Sequence, residues 1–105
     1  MDTINLPGFS RPILLNDILW LKGEATYTRI YYKDGSHAIV TKPLNYFSQH
    51  STFIRVHRSI MVNSMYVHGL IQGKPRSLKL QLSTGTLLDV SRPYYQLLGD
   101  LFPSK

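Results

Sequence analysis

Apolar residues along the chain fall into short runs separated by polar pairs and single glycines, the rhythm of a strand-rich fold. Ser77–Leu82 alternates most plainly: Leu78, Leu80 and Leu82 face one way, Lys79 and Gln81 the other. Thr84-Gly85 then turns the chain into a second strand over Thr86–Val90. Thr26–Lys33 is rich in β-branched and aromatic residues, and Asp34-Gly35 supplies a two-residue hairpin signal before His37–Thr41. Pro12–Leu15 and Ile18–Leu21 are apolar runs on either side of Asn16-Asp17, and Gly73-Lys74-Pro75-Arg76 reads as a hairpin loop. Two segments have a helical pattern instead. Pro43–His50 places Leu44 and Phe47 three apart, with Pro43 in a first turn. Ser91–Leu101 begins with Ser91 as N-cap and Pro93 in the first turn, and Tyr94, Leu97, Leu98 and Leu101 recur at helical spacing. The pattern predicts a mainly β chain with a short mid-chain helix, a C-terminal helix and no internal repeat.

One stretch breaks the rhythm. In FIRVHRSIMVN, Phe53 to Asn63, Ile54 and Val56 alternate with Arg55; His57, Arg58 and Ser59 then interrupt before Ile60, Met61 and Val62 resume. A strand that opens into a His-Arg-Ser loop presents hydrogen-bond donors from a rigid support. Arginine can contact guanine bidentately, and serine and histidine can donate to phosphates or bases. Val90-Ser91-Arg92-Pro93 is a second such place, with a basic side chain at a predicted helix start.

Composition narrows the function. The chain has 105 residues, enough for one domain with a modest core. It has no cysteine, so disulfides, thiolate metal sites and cysteine nucleophiles are excluded. No apolar run approaches the ~20 residues that span a bilayer, and MDTINLPGFSRP lacks the basic start and apolar segment of a signal peptide. The expectation is a soluble, cytoplasmic protein with no membrane insertion. The net charge is +6, and no acidic residue occurs between Asp34 and Asp89, where Lys42, Arg55, Arg58, Lys74, Arg76 and Lys79 lie. A one-signed face of this kind attracts phosphates or is simply a solvated basic surface.

Catalysis has little to draw on. Glu24 is the only glutamate, and none of the five aspartates forms an obvious carboxylate pair. His37, His50, His57 and His68 match no metal-ligand spacing, Ser59 and His57 lack an evident third partner, and the glycines make no phosphate loop. Neither an enzyme nor a metal or other cofactor is expected.

The pattern FIRVHRSIMVN, followed downstream by GTLLDVSRPYYQLL, resembles the LytTR DNA-binding domain of bacterial transcription regulators. NDILWLKGEATYTRIYYKDG resembles the first block of that family, so the matching region runs from about Asn16 to Leu98 of a single domain over residues 1–105. The resemblance implies an elongated stack of antiparallel sheets whose loops enter successive major grooves of double-stranded DNA. It assigns base reading to Arg58 and Arg92, with Tyr27 near a third contact position. It places Arg55 and Ser59 at backbone phosphates, with Arg29 beside them, and gives His57 and Ser91 supporting roles. Phe53, Ile54, Val56, Trp20, Ile30 and Leu80 read as core, and Asn63 as a residue that bonds backbone at a strand turn. The implied partners are duplex DNA, a second copy on direct repeats and a separate signalling protein. Family members are commonly output domains behind a receiver domain; here only the short stretch from Met1 to Leu15 precedes the matching region, so an output domain, excised or free-standing, is expected. An alternative class is a small single-stranded RNA-binding module using Tyr27, Tyr31 and Tyr32 beside Arg29 as a stacking platform.

Overall fold

In the computed structural model, which describes residues 2–74 and 76–102, the alternating stretches form ten antiparallel strands in three sheets. The N-terminal pair is β1 (Thr3–Ile4) with β2 (Ile13–Leu14). A five-stranded sheet contains β3 (Ile18–Glu24), β4 (Tyr27–Tyr32), β5 (His37–Val40), β6 (Phe53–His57) and β7 (Ile60–Asn63). Its spatial order is β5-β4-β3-β7-β6. A three-stranded meander follows: β8 (Val67–Gln72), β9 (Leu78–Leu82) and β10 (Leu87–Asp89). The last element among the described residues is α1 (Tyr95–Leu101). The body is elongated, 44 × 27 × 22 Å.

Two hydrophobic cores lie on opposite faces of the five-stranded sheet. Ile18, Leu21, Ile30, Phe53 and Met61 pack with the N-terminal segment and with Leu44 and Phe47. Val56 and Val62 instead join Leu80, Leu82, Leu88, Val90 and Leu98 from the meander and α1. This explains the unbroken run Ile60-Met61-Val62. β7 is an interior strand covered on both faces, so alternation between inside and outside disappears. Trp20 and Ile54 are half-buried against the second core rather than fully enclosed.

The mid-chain helix is a 3₁₀ helix, Leu44–Gln49, and Pro43 precedes it as N-cap instead of lying in its first turn. The three-residue spacing of Leu44 and Phe47 suits that tighter winding, which eclipses i and i+3 and buries both side chains. The C-terminal helix begins with a 3₁₀ turn, Arg92–Tyr94, ahead of α1. Ser91 stands at the N-cap position, but its hydroxyl makes no capping bond. A capping oxygen accepts from the second or third helical N–H. Here the second residue is Pro93, which has none, and the third N–H, of Tyr94, is taken by the Ser91 carbonyl at 2.9 Å.

Asn63 is fully buried and fully used. Its Nδ2 donates to the carbonyls of Leu15 at 3.1 Å and Ile18 at 2.9 Å, and its Oδ1 accepts from the Met65 N–H at 3.0 Å. The role expected for Asn63 as a backbone-bonding residue therefore holds, and it ties the end of β7 to the entry of β3.

Candidate nucleic-acid interface

Strand register gathers the singled-out residues at one end of the five-stranded sheet. Glu24 pairs with Tyr27 where β3 turns into β4, and Lys22 pairs with Ile60 where β7 begins. The Gly23 N–H donates to the Ser59 carbonyl at 2.8 Å, holding the turn after β6 beside the end of β3. On the far side, the Ser91 N–H donates to the Val56 carbonyl at 2.9 Å. The β3–β4 turn, the Arg58-Ser59 turn and the Ser91-Arg92 segment thus share one end. Tyr27, Arg58 and Arg92, far apart in sequence, come to the same side of the molecule.

The Arg58 turn is braced from within. A bulge in the β6–β7 pairing, between Arg55 and His57, leaves Val56 without a register partner, and Val56 is buried in the second core. Arg55 Nη1 donates to the Arg58 carbonyl at 2.6 Å. The Ser59 N–H donates to His57 Nδ1 at 3.2 Å, and the Ser59 hydroxyl lies 3.0 Å from the same nitrogen. Nδ1 is thus the acceptor of the Ser59 N–H. His57 and Ser59 hold one another and shape the turn, while the Arg58 side chain is exposed.

Charge at this end is uneven. Arg29 lies 3.3 Å from Glu24 and its other nitrogen is 3.3 Å from His37 Nδ1, so it is engaged within the sheet. Asp89 is paired with Lys79 at 2.8 Å; that hydrogen bond and charge, with a smaller contribution from His57, hold its carboxyl below the usual aspartate value. Neither Arg58 nor Arg92 has an ion-pair partner among the described residues. Both are exposed cations free to meet an anion.

The tyrosine platform of the RNA-binding alternative does not form. Tyr31 is stacked on its cross-strand partner Trp20, centroids 4.2 Å apart and planes 5° from parallel. Tyr32 packs against the first core, and burial, reinforced by Asp34 and Asp17, raises its phenol above the usual value. Of the three, Tyr27 alone is exposed.

Sequence reasoning counted Arg76 only among the basic residues of the acid-free stretch and did not single it out. It lies near the tip of the β8–β9 hairpin, yet it lines the same open cleft as Arg92, and the Tyr95 hydroxyl donates to its carbonyl at 3.2 Å. Nothing in a single sequence pairs positions that only the packing of a hairpin on a helix brings together.

A family model for the LytTr DNA-binding domain matches residues 10–102. The chain belongs to the LytTr DNA-binding domain family. Among solved structures, this LytTr domain is similar to the LytTr DNA-binding domain assigned to a methyl-accepting/DNA response regulator of Bacillus cereus. The match has a TM-score of 0.75 at 19% identity and covers 95% of this chain and 94% of that one. That likeness establishes the shared fold, an elongated mainly β architecture with a C-terminal helix. No curated protein matches the chain. The family is one of DNA-binding domains rather than of enzymes, and among the described residues no helix is long and apolar enough to cross a membrane.

Proposed function

We propose that the whole 105-residue chain is a single LytTr domain that binds double-stranded DNA sequence-specifically and regulates transcription in the bacterial cytoplasm. The observation that carries this reading is the convergence of Tyr27, Arg58 and Arg92 at one end of the sheet, with both arginines exposed and unpaired among the described residues. In this reading Arg58 and Arg92 read base edges in successive major grooves from turns anchored in the sheet. Tyr27 makes a third contact beside the β3–β4 turn. Arg55 and Ser59 hold backbone phosphates, His57 and Ser91 support them, and Arg29 orders the strand behind Tyr27. A second copy binds an adjacent direct repeat, and a separate signalling protein supplies control.

Rigid donors suit this task because bidentate arginine–guanine contacts demand fixed geometry, each contributing ~1–3 kcal/mol of discrimination. The remaining basic residues supply the salt-sensitive, sequence-independent attraction.

The test is selection from a randomised duplex pool at ~150 mM salt, where exposed charges are screened beyond about 8 Å. Enrichment of a short repeated motif is expected, with Arg58→Ala and Arg92→Ala each relaxing preference at different base pairs. A pool that stays flat, or two variants that weaken cognate and scrambled duplexes equally, contradicts base reading by these arginines.

A further inference from the structure

Beyond the DNA-facing turns, an open cleft of about 520 Å³ lies between the β8–β9 hairpin and the C-terminal helix. Leu70 and Leu78 line it together with Arg76 and Arg92, and Tyr95 and Gly99 come from α1. Its size is in the range of sites for small organic ligands, roughly 300–1,000 Å³. No acidic residue lines it, and neither arginine has an ion-pair partner among the described residues. Two arginines and two leucines in one lining are chemistry for an anionic head on an apolar body.

Gly99 is the second observation. Glycine is a poor helix former, used inside a helix when a positive φ or a close approach requires it. Gly99 has neither: its φ is not in the left-handed region, and a Cβ built there would meet nothing within 4 Å. Gly99 lines the cleft, and the space its Cβ would take is empty, so the cleft is open on its helical side.

We propose that this cleft is a binding site for a small organic anion, an apolar body bearing one carboxylate or phosphate head. The head bonds Arg76 and Arg92, and the body lies on Leu70 and Leu78 beside the Tyr95 ring. One consequence rests on the reading of Arg92 as a base contact: an occupied cleft and a duplex then compete for the same side chain, making the site an effector site.

The test is a titration of the isotope-labelled chain with naphthalene-2-carboxylate in the absence of DNA, followed by backbone amide shifts. The uncharged naphthalene-2-carboxamide and inorganic phosphate form parallel arms. Saturable shifts at Ser77, Tyr95 and Gly99 are expected, with at least tenfold weaker binding for the carboxamide and for phosphate. Arg76→Gln should weaken carboxylate binding by a similar factor. Gly99→Met, which improves the helix and fills the cleft, should abolish it without unfolding the domain. Shifts that do not saturate, that match those of the carboxamide, or that survive Gly99→Met overturn the site. Phosphate binding as tightly as the naphthoate overturns the organic body. A second titration adds the selected duplex: displacement of one ligand by the other supports the effector role. Simultaneous binding keeps the cleft and overturns the sharing of Arg92.

Discussion

Ser91 gives its backbone N–H to the carbonyl of Val56 at 2.9 Å, joining the start of the C-terminal helix to the exposed edge of β6. The bond does two things at once. It satisfies a carbonyl at a strand edge that would otherwise invite another strand, and it fixes the position of Arg92 relative to Arg58, two residues beyond Val56.

Because this link is made by backbone, Ser91→Ala should leave it intact. A helix-capping serine would cost ~1 kcal/mol on replacement by alanine, whereas here the hydroxyl caps nothing. Urea denaturation should show a change within about 0.5 kcal/mol, the usual range for surface substitutions. A loss near the full capping value would mean that the hydroxyl engages the helix in solution. Any larger effect of this variant on duplex binding than on stability would report a phosphate contact.

Arg55 offers a sharper separation of charge from geometry. Its Nη1 holds the Arg58 carbonyl at 2.6 Å, while the other guanidinium donors remain for a phosphate. Arg55→Ala should lower the salt slope of duplex binding by about one. Arg55→Lys keeps the charge and hence the slope, but one ammonium cannot both brace the turn and hold a phosphate. Discrimination between cognate and scrambled duplex should therefore drop several-fold in the lysine variant. Identical slopes and identical discrimination for the two variants would refute this division of labour.

Asn63 is the most consequential buried polar side chain. Replacing it by alanine strands hydrogen-bonding groups of Leu15, Ile18 and Met65, at a cost of ~2–3 kcal/mol. Asn63→Asp should be worse at neutral pH, because a carboxylate would face two carbonyl oxygens with no donor of its own. Its folded-state pKa must then lie above the unfolded value. The added penalty is therefore complete above the raised value and disappears as pH falls below the unfolded one. Denaturation of both variants at neutral and acid pH checks the sign: acidification should narrow the gap between Asp and Ala.

At the β4–β5 hairpin tip, Asp34 Oδ1 accepts from the Ser36 hydroxyl at 2.6 Å and from the Ser36 N–H at 2.8 Å. These bonds, the side-chain one foremost, hold the Asp34 carboxyl below the ordinary aspartate value. The stabilisation is thus present above the ordinary value and lost as pH falls through the depressed one. Ser36→Ala should raise the Asp34 pKa towards the ordinary value, as followed by carboxyl carbon shifts. An unchanged titration would show that the hydroxyl bond does not persist in water.

Hairpins were legible in the sequence wherever a turn dipeptide stood between alternating runs, as at Asp34-Gly35 and Thr84-Gly85, whose glycines have φ of 92° and 91°. The β3–β4 turn was harder, because Ala25 occupies the left-handed region at φ 57°, where alanine is uncommon and gives no signal. The two-residue pair β1–β2 is too short for periodicity to register. Strand order was hidden as well: β7 inserts between β3 and β6 through long-range pairing that local pattern cannot specify. Within the candidate site, Arg58 stood out as a polar interruption of an apolar run, but its brace by Arg55 depends on a bulge, and the Ser91 cap was misjudged because Pro93 removes its target. Arg76 had no local anomaly to mark it.

Met61 and Val62 are neighbours in sequence but belong to different cores. The central sheet is therefore a party wall: neither room can be emptied without weakening the partition that serves the other. Damage to the N-terminal packing around Phe47, on the face away from the second core, should reach the Arg58 turn through β7 rather than remain local. A domain built this way melts as one unit, and the end that carries Arg58 is only as firm as the core on the far side of the wall.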